Sequence, residues 1–245
     1  MKNLTKIFLV VMLVLISSQL SAQIKFGLKA GLNGNNISKN LEPDGDNEIY
    51  TSKMYYSYHF GASVEIGFSD ALSLQSGLMY TTKGWAVDLD EVLKEDIADG
   101  LSIDGYYRFM FNYLEVPFNM AYKFGNIQVY AGPYVSLMLN GKMKYDVTME
   151  EDGESFDESD EIKYVPVFGE VKDGDIDDED MAVYGLDYGL NAGVGYRIGQ
   201  ILITAGYSFS LGNIVPAYEG DTEMRENNRI SPTTISLSAT YFFGF

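Results

Sequence analysis

No cysteine occurs in the 245 residues, and histidine and tryptophan occur once each, as His59 and Trp85. Without cysteine there is no disulfide framework, iron–sulfur cluster, thiol nucleophile, cysteine-ligated zinc or lipid-modified cysteine. A single histidine rules out a histidine-rich metal site within one chain. Basic side chains are also scarce, 17 against 35 acidic ones for a formal net charge of −18, so nothing would neutralise phosphates and nucleic acid is excluded as a partner. Long apolar runs are missing too: beyond residue 22 no stretch of 18 uninterrupted apolar residues exists, which leaves no candidate transmembrane helix.

What is abundant is glycine (25) and tyrosine (19), in a chain that is 46% hydrophobic. This composition excludes disorder and is unusual for a cytosolic enzyme. Residues 1–22 predict a secretory signal peptide, with a basic start at Lys2 and Lys6, an apolar core from Ile7 to Ile16, polar Ser17, Ser18 and Gln19, and small Ser21 and Ala22 at the end. The apolar core is too short for a bilayer of roughly 30 Å hydrocarbon, which takes about 20 residues as a helix, so cleavage after Ala22 is expected rather than anchoring. Loss of Lys2 and Lys6 leaves 15 basic against 35 acidic side chains in one mature domain, residues 23–245.

From Ile24 onward the apolar pattern has period 2. Near the end Ile235, Leu237, Ala239, Tyr241 and Phe243 share one face and Thr234, Ser236, Ser238 and Thr240 the other. The same alternation runs through 201–211, 127–137, 71–83, 24–33, 55–68, 106–124 and 184–198, giving eight strands. Their connections alternate in length. Three are two residues long (Ser69-Asp70, Gly125-Asn126, Gly199-Gln200), and four are long and polar, roughly 34–54, 84–105, 139–183 and 212–232. This layout predicts an all-β fold: an eight-stranded antiparallel up-and-down transmembrane barrel with short periplasmic turns and long extracellular loops.

A soluble lipocalin-type barrel is the competing architecture, and it would turn its apolar face inward. Here the polar face carries Lys25, Lys29, Glu65, Lys83, Glu115, Lys123, Asp187 and Arg197. In a narrow lumen these five cations and three anions can pair, whereas a Lys or Arg aimed at mid-membrane lipid costs roughly 2–4 kcal/mol. The signal peptide favours the membrane. Tyr80, Tyr122, Phe124, Tyr196, Tyr207, Tyr241 and Phe243 then form interfacial aromatic belts, and Trp85 is expected to be an interfacial anchor.

Several segments carry a family resemblance: Ile24-Lys25-Phe26-Gly27-Leu28-Lys29-Ala30-Gly31-Leu32-Asn33, Tyr113-Leu114-Glu115-Val116-Pro117, Asp187-Tyr188-Gly189-Leu190-Asn191 with Gly193 and Gly195, and the terminal Phe245. They resemble the PorT-like outer-membrane β-barrel family of Bacteroidetes, over the whole mature chain. The resemblance implies an outer-membrane location, contact with outer-membrane lipid and lipopolysaccharide, and assembly by the barrel insertion machinery, which reads a terminal aromatic strand; Tyr241, Phe243 and Phe245 match that signal. Some members serve a protein secretion and gliding apparatus. No cofactor is implied.

Three functional classes follow. An eight-stranded barrel is filled by its own side chains, here Tyr130, Tyr134, Gln75, Asn119 and the charged cluster, which argues against an open pore and for a structural or interaction protein engaging surface or secretion-machinery partners. A narrow channel is the first alternative. A lipid A-modifying enzyme is the second, with His59 near Ser57 as the residue to weigh; a hydrogen-bonded filler is the simpler role. The glycines at 189, 193, 195 and 199 do not form a dinucleotide fingerprint, because the spacing is wrong and no helix follows. Residues 150–180 hold 15 acidic side chains against Lys163 and Lys172. Asp173, Asp175 and Asp177 are weak candidates for a divalent cation, but Asp178 stands where a calcium loop needs glycine and Tyr184 where it needs glutamate. A solvated acidic loop is the expectation.

Overall fold

The computed structural model describes residues 24–41, 52–88, 101–151, 154–172, 174–177, 179–220, 225 and 228–243. The predicted signal peptide, Asp173 and Phe245 lie outside them. Ten strands of four residues or more follow in chain order: β1 (Ile24–Leu41), β2 (Tyr55–Gly67), β3 (Leu72–Asp88), β4 (Leu101–Phe124), β5 (Ile127–Glu151), β6 (Glu154–Val167), β7 (Met181–Tyr184), β8 (Leu186–Ile198), β9 (Ile201–Ser210) and β10 (Asn228–Phe242). Eight of them, all but β6 and β7, form a closed antiparallel ring. Closure is made by β1 against β10, from Gly27 opposite Phe242 to Leu41 opposite Asn228. With the ring closed, the wall has no free edge along its length, as a membrane-spanning sheet requires.

The turns lie where the residues allow reversal. Gly125 and Gly199 have φ of 62° and 59°, a left-handed conformation that suits glycine and lets two-residue hairpins follow the strand twist. In the β2–β3 turn the N–H groups of Phe68 and Ser69 both donate to Leu72 O.

Alternation decides what each face meets. Leu237 is 58% exposed and Ser238 3%; Tyr188 is 48% exposed and Asp187 0%. Apolar side chains stand outside and polar ones inside all round the ring, the inverse of a soluble barrel, and only surrounding hydrocarbon makes that distribution stable. Exposed Tyr122, Phe124, Tyr196, Tyr241 and Phe243 girdle the turn end. Tyr58, Phe60 and Tyr80 stack near the other end, with Tyr207 and Phe209 further round.

Among the described residues, strands run into all four connections expected as loops, and furthest into the third. β4 and β5 have 24 and 25 residues, more than twice the roughly 9–11 a tilted strand needs to cross. They leave the wall together, stay paired from Asn112 opposite Asn140 to Leu101 opposite Glu151, and are joined by β6, which runs back along β5. Residues 154–167 of the acidic segment are therefore the outer strand of a projecting three-stranded sheet rather than a loop, with 155–161 exposed to solvent, while the described residues of 172–180 are in no strand. The sheet's inner face continues the apolar alternation with Phe109, Met143, Tyr145, Ile162 and Tyr164. On its outer face Glu161 takes Lys142 at 3.2 Å and Lys144 at 3.1 Å. Hydrogen bonds from Lys144 and Lys142 hold the Glu161 carboxyl below its usual range. These pairs are well exposed, so they set register more than they add stability.

Candidate functional site

The lumen is the place where this sheet gathers chemistry, and its ion pairs form two groups. Toward the turn end Glu65 of β2 meets Lys123 of β4 at 2.9 Å and Arg197 of β8 at 2.6 Å. Gln75 donates to the same carboxylate at 2.9 Å and exchanges bonds with Gln128 at 3.3 Å, so a polar layer crosses the barrel. Higher up Lys83 of β3 lies 2.8 Å from Glu115 of β4 and 2.8 Å from Asp187 of β8. Asp187 also accepts from Tyr134 at 3.2 Å and from Ser210, and Glu115 accepts from Ser136 at 2.9 Å. The Lys83 ammonium sits 4.2 Å from the centre of the Tyr134 ring. A buried charge is tolerated only when paired and hydrogen-bonded, and Lys83, Asp187 and Glu65 all meet that condition.

Two members of the expected cluster stand apart. Lys25 is opposite Glu65 in the β1–β2 register, yet it is exposed at the turn end and makes no ion pair among the described residues. The mouth gives it water, which solvates an ammonium better than a shared carboxylate. Lys29 is inward and also makes no ion pair among the described residues; it faces a small cavity of about 60 Å³ shared with Glu115, His59 and Asn119.

His59 is not partnered by Ser57. Its Nδ1 is 2.7 Å from Asn33 Oδ1 and its Nε2 2.8 Å from Ser238 Oγ. The Asn33 amide nitrogen donates to Thr81 Oγ1 at 3.1 Å and Thr82 O at 3.3 Å, which orients its oxygen toward the ring. His59 therefore carries its proton on Nδ1 and accepts from Ser238 at Nε2. The order hydroxyl, imidazole, amide is that of an activated serine. However, Ser238 is buried, it points into the lumen, and its strand sits in a full ladder between β1 and β9. No lipid-borne ester reaches it from the wall.

Above the ions the lumen is sealed by apolar side chains. Trp85, Phe111, Tyr113, Met138, Val183 and Ile214 form one buried cluster. Trp85 is thus not an interfacial anchor: it is 6% exposed and stacks on Phe109 at 4.5 Å and beside Phe111 at 5.6 Å. The reason is parity, since the alternation that carries Thr81 and Lys83 inward carries Trp85 inward as well. Ile214 enters from the fourth connection, held by Tyr184 N donating to Ile214 O at 2.9 Å and Ile214 N donating to Ile230 O at 3.1 Å.

An inside-out eight-stranded ring with ions in its lumen and girdles of aromatics is the architecture of a bacterial outer-membrane protein, and the model of the outer membrane protein beta-barrel domain matches residues 17–215. The chain belongs to that family. No curated protein matches it. Among solved structures, Ail, the attachment invasion locus protein of Yersinia pestis, is similar at 12% identity and a TM-score of 0.39, over 90% of this chain and 99% of that one. Neisserial surface protein A gives 13% and 0.37 over 89% and 97%. The P. putida toluene transporter TodX gives 12% and 0.26 over 91% and 90%. Superpositions this loose identify no shared function.

Of the metal candidates in this outer-membrane barrel, Asp173 lies outside the described residues. Asp175 accepts the Lys172 N–H at 2.9 Å, Asp177 accepts the Asp180 N–H through its backbone oxygen at 2.9 Å, and no group of three metal-ligating side chains occurs among the described residues. The lumen glycines make room for tyrosines instead. A Cβ on Gly206 would fall against the Tyr130 hydroxyl and 3.2 Å from Ser236 Oγ. Gly206→Ala is expected to cost about 1–3 kcal/mol by overpacking, and Tyr130→Phe in the same chain to recover most of it. Urea unfolding of the detergent-solubilised barrel checks this; an undiminished penalty in the double variant would place the clash elsewhere.

Proposed function

We propose that this outer-membrane barrel is a closed, non-enzymatic interaction protein whose projecting sheet engages a partner at the cell surface or in a secretion apparatus. The observation that carries the reading is that β4, β5 and β6 continue as one paired sheet far past the wall, above a lumen filled by ion pairs and sealed by apolar side chains. A pore needs neither the sheet nor the seal, whereas a docking element needs a rigid scaffold beneath it. The motifs at 24–33, 113–117 and 187–195 support a PorT-like place within the family. Residues 1–22 support export through a cleaved leader.

Replacing residues 142–163 by Asn-Gly, between the paired Gly141 and Tyr164, is expected to leave a heat-modifiable barrel in the outer-membrane fraction while removing its cross-linked partner in intact cells. An unchanged cross-linking pattern would sink the docking role. Single-channel conductance from the wild-type barrel would favour the narrow channel instead.

A further inference from the structure

The outer wall has a notch at its extracellular rim. β9 ends at Ser210, where its pairing with β10 has reached Phe209 opposite Thr233, but β10 continues beyond that level against β1 out to Leu41 opposite Asn228. Above Phe209 that side of β10 meets residues 211–214 of the fourth connection instead of a strand, with Ile214 N donating to Ile230 O at 3.1 Å and Asn213 to Asn228 O at 2.8 Å. The resulting depression has a volume of about 310 Å³ and is lined by Ser38, Tyr207, Phe209, Arg229, Ser231 and Thr233. Cavities of this size are in the range that holds small ligands.

Its depth in the membrane follows from the strand. Ile201–Ser210 has 10 residues, one crossing of a tilted strand, so the aromatic pair Tyr207 and Phe209 lies at the end of the hydrocarbon and Arg229 at headgroup level. Arg229 is exposed, and its bonds go to neutral acceptors, Nε to Ser231 Oγ at 3.2 Å and one terminal nitrogen to Leu211 O at 2.6 Å. They fix the guanidinium plane and leave donors over. It makes no ion pair among the described residues, although the chain has 35 acidic side chains and Lys142, Lys144 and Lys172 all find one. An oriented guanidinium without a carboxylate partner among the described residues, above aromatic rings and beside the hydroxyls of Ser38 and Thr233, is complementary to a phosphate carried on an acyl chain.

We infer that this notch binds the phosphorylated headgroup of an outer-leaflet glycolipid. Arg229 takes the phosphate through its remaining N–H groups, Ser38 and Thr233 donate to phosphate or sugar oxygens, and Tyr207 and Phe209 lie against the first methylenes of the acyl chains. The site fixes a lipid to one side of the barrel, beneath the fourth connection.

The test is native mass spectrometry of the full mature barrel in detergent, titrated with bisphosphorylated lipid A, dephosphorylated lipid A, or inorganic phosphate. The wild type is expected to bind the bisphosphorylated form about tenfold more tightly than the dephosphorylated one, the value of one charge-assisted bond network. Arg229→Met should abolish that preference, Arg229→Lys should keep part of it, since charge remains without the planar fork, and Arg108→Met should keep all of it. Equal binding of the two lipids by the wild type, or a preference retained by Arg229→Met, would overturn the inference. Displacement of the lipid by millimolar inorganic phosphate would overturn the lipid assignment in favour of a free-phosphate site. Should Arg229→Met fail to fold, the Arg229→Lys comparison decides: an undiminished preference counts against the site.

Discussion

Lys83→Met is expected to cost the barrel about 3–5 kcal/mol, because it leaves Asp187 and Glu115 facing each other in a buried lumen without their shared cation. Methionine fills similar volume, so the loss is electrostatic and not a cavity. The triple variant Lys83→Met, Glu115→Gln, Asp187→Asn removes the charges together and should recover most of the stability, to within about 1–2 kcal/mol of wild type. Urea titrations followed by the gel mobility of folded and unfolded forms read both. A single-variant loss below about 1 kcal/mol would mean that water reaches the triad and screens it. The Glu65, Lys123 and Arg197 group should be less costly to break, since its two cations already touch solvent at the mouth.

Trp85→Ala should have the second large effect, about 3–5 kcal/mol by loss of a buried aromatic and the cavity it leaves. The ring touches both Phe109 and Phe111, which pair otherwise with Tyr164. Its consequence for the surface is distinct from that of Lys83: the seal carries Val183 and Ile214 from the third and fourth connections, so these segments should become open to protease in folded, membrane-inserted barrels. No conductance is expected from this variant, because the ion pairs below Trp85 still fill the lumen. Channel openings on loss of Trp85 alone would show that the apolar seal, and not the ion layer, closes the barrel.

The eight wall strands were legible in the sequence because period-2 alternation and glycine turns are local signals, each written within about ten residues. The same signal persists past the wall, in Arg108/Phe109/Met110/Phe111 and Lys142/Met143/Lys144/Tyr145, but there the density of acidic residues makes the segment look solvated. Its strand character depends on Lys144 standing opposite Glu161 and Gly141 opposite Tyr164, a register that only the folded hairpin sets. The ion cluster was legible as a set and not as pairs. Lys83 reaches Asp187 across 104 positions, and nothing local tells Lys83 from Lys25. Asn33, Ser238 and Ser210 went unnoticed as partners because a hydroxyl or amide on an inward face has no sequence mark of its own.

The period-2 alternation and the alternating lengths of the connections by themselves determine an inside-out antiparallel barrel: each strand must show one face to hydrocarbon and one to the lumen, and that choice is made residue by residue. Tertiary structure alone decided that His59 binds Asn33 and Ser238, that Trp85 closes the lumen instead of anchoring the wall, that β6 extends a sheet into the medium, and that Arg229 overlooks a notch. Each of these depends on which strands become neighbours when the ring closes, and closure joins residues as distant as His59 and Ser238, 179 positions apart, through geometry that no local window contains.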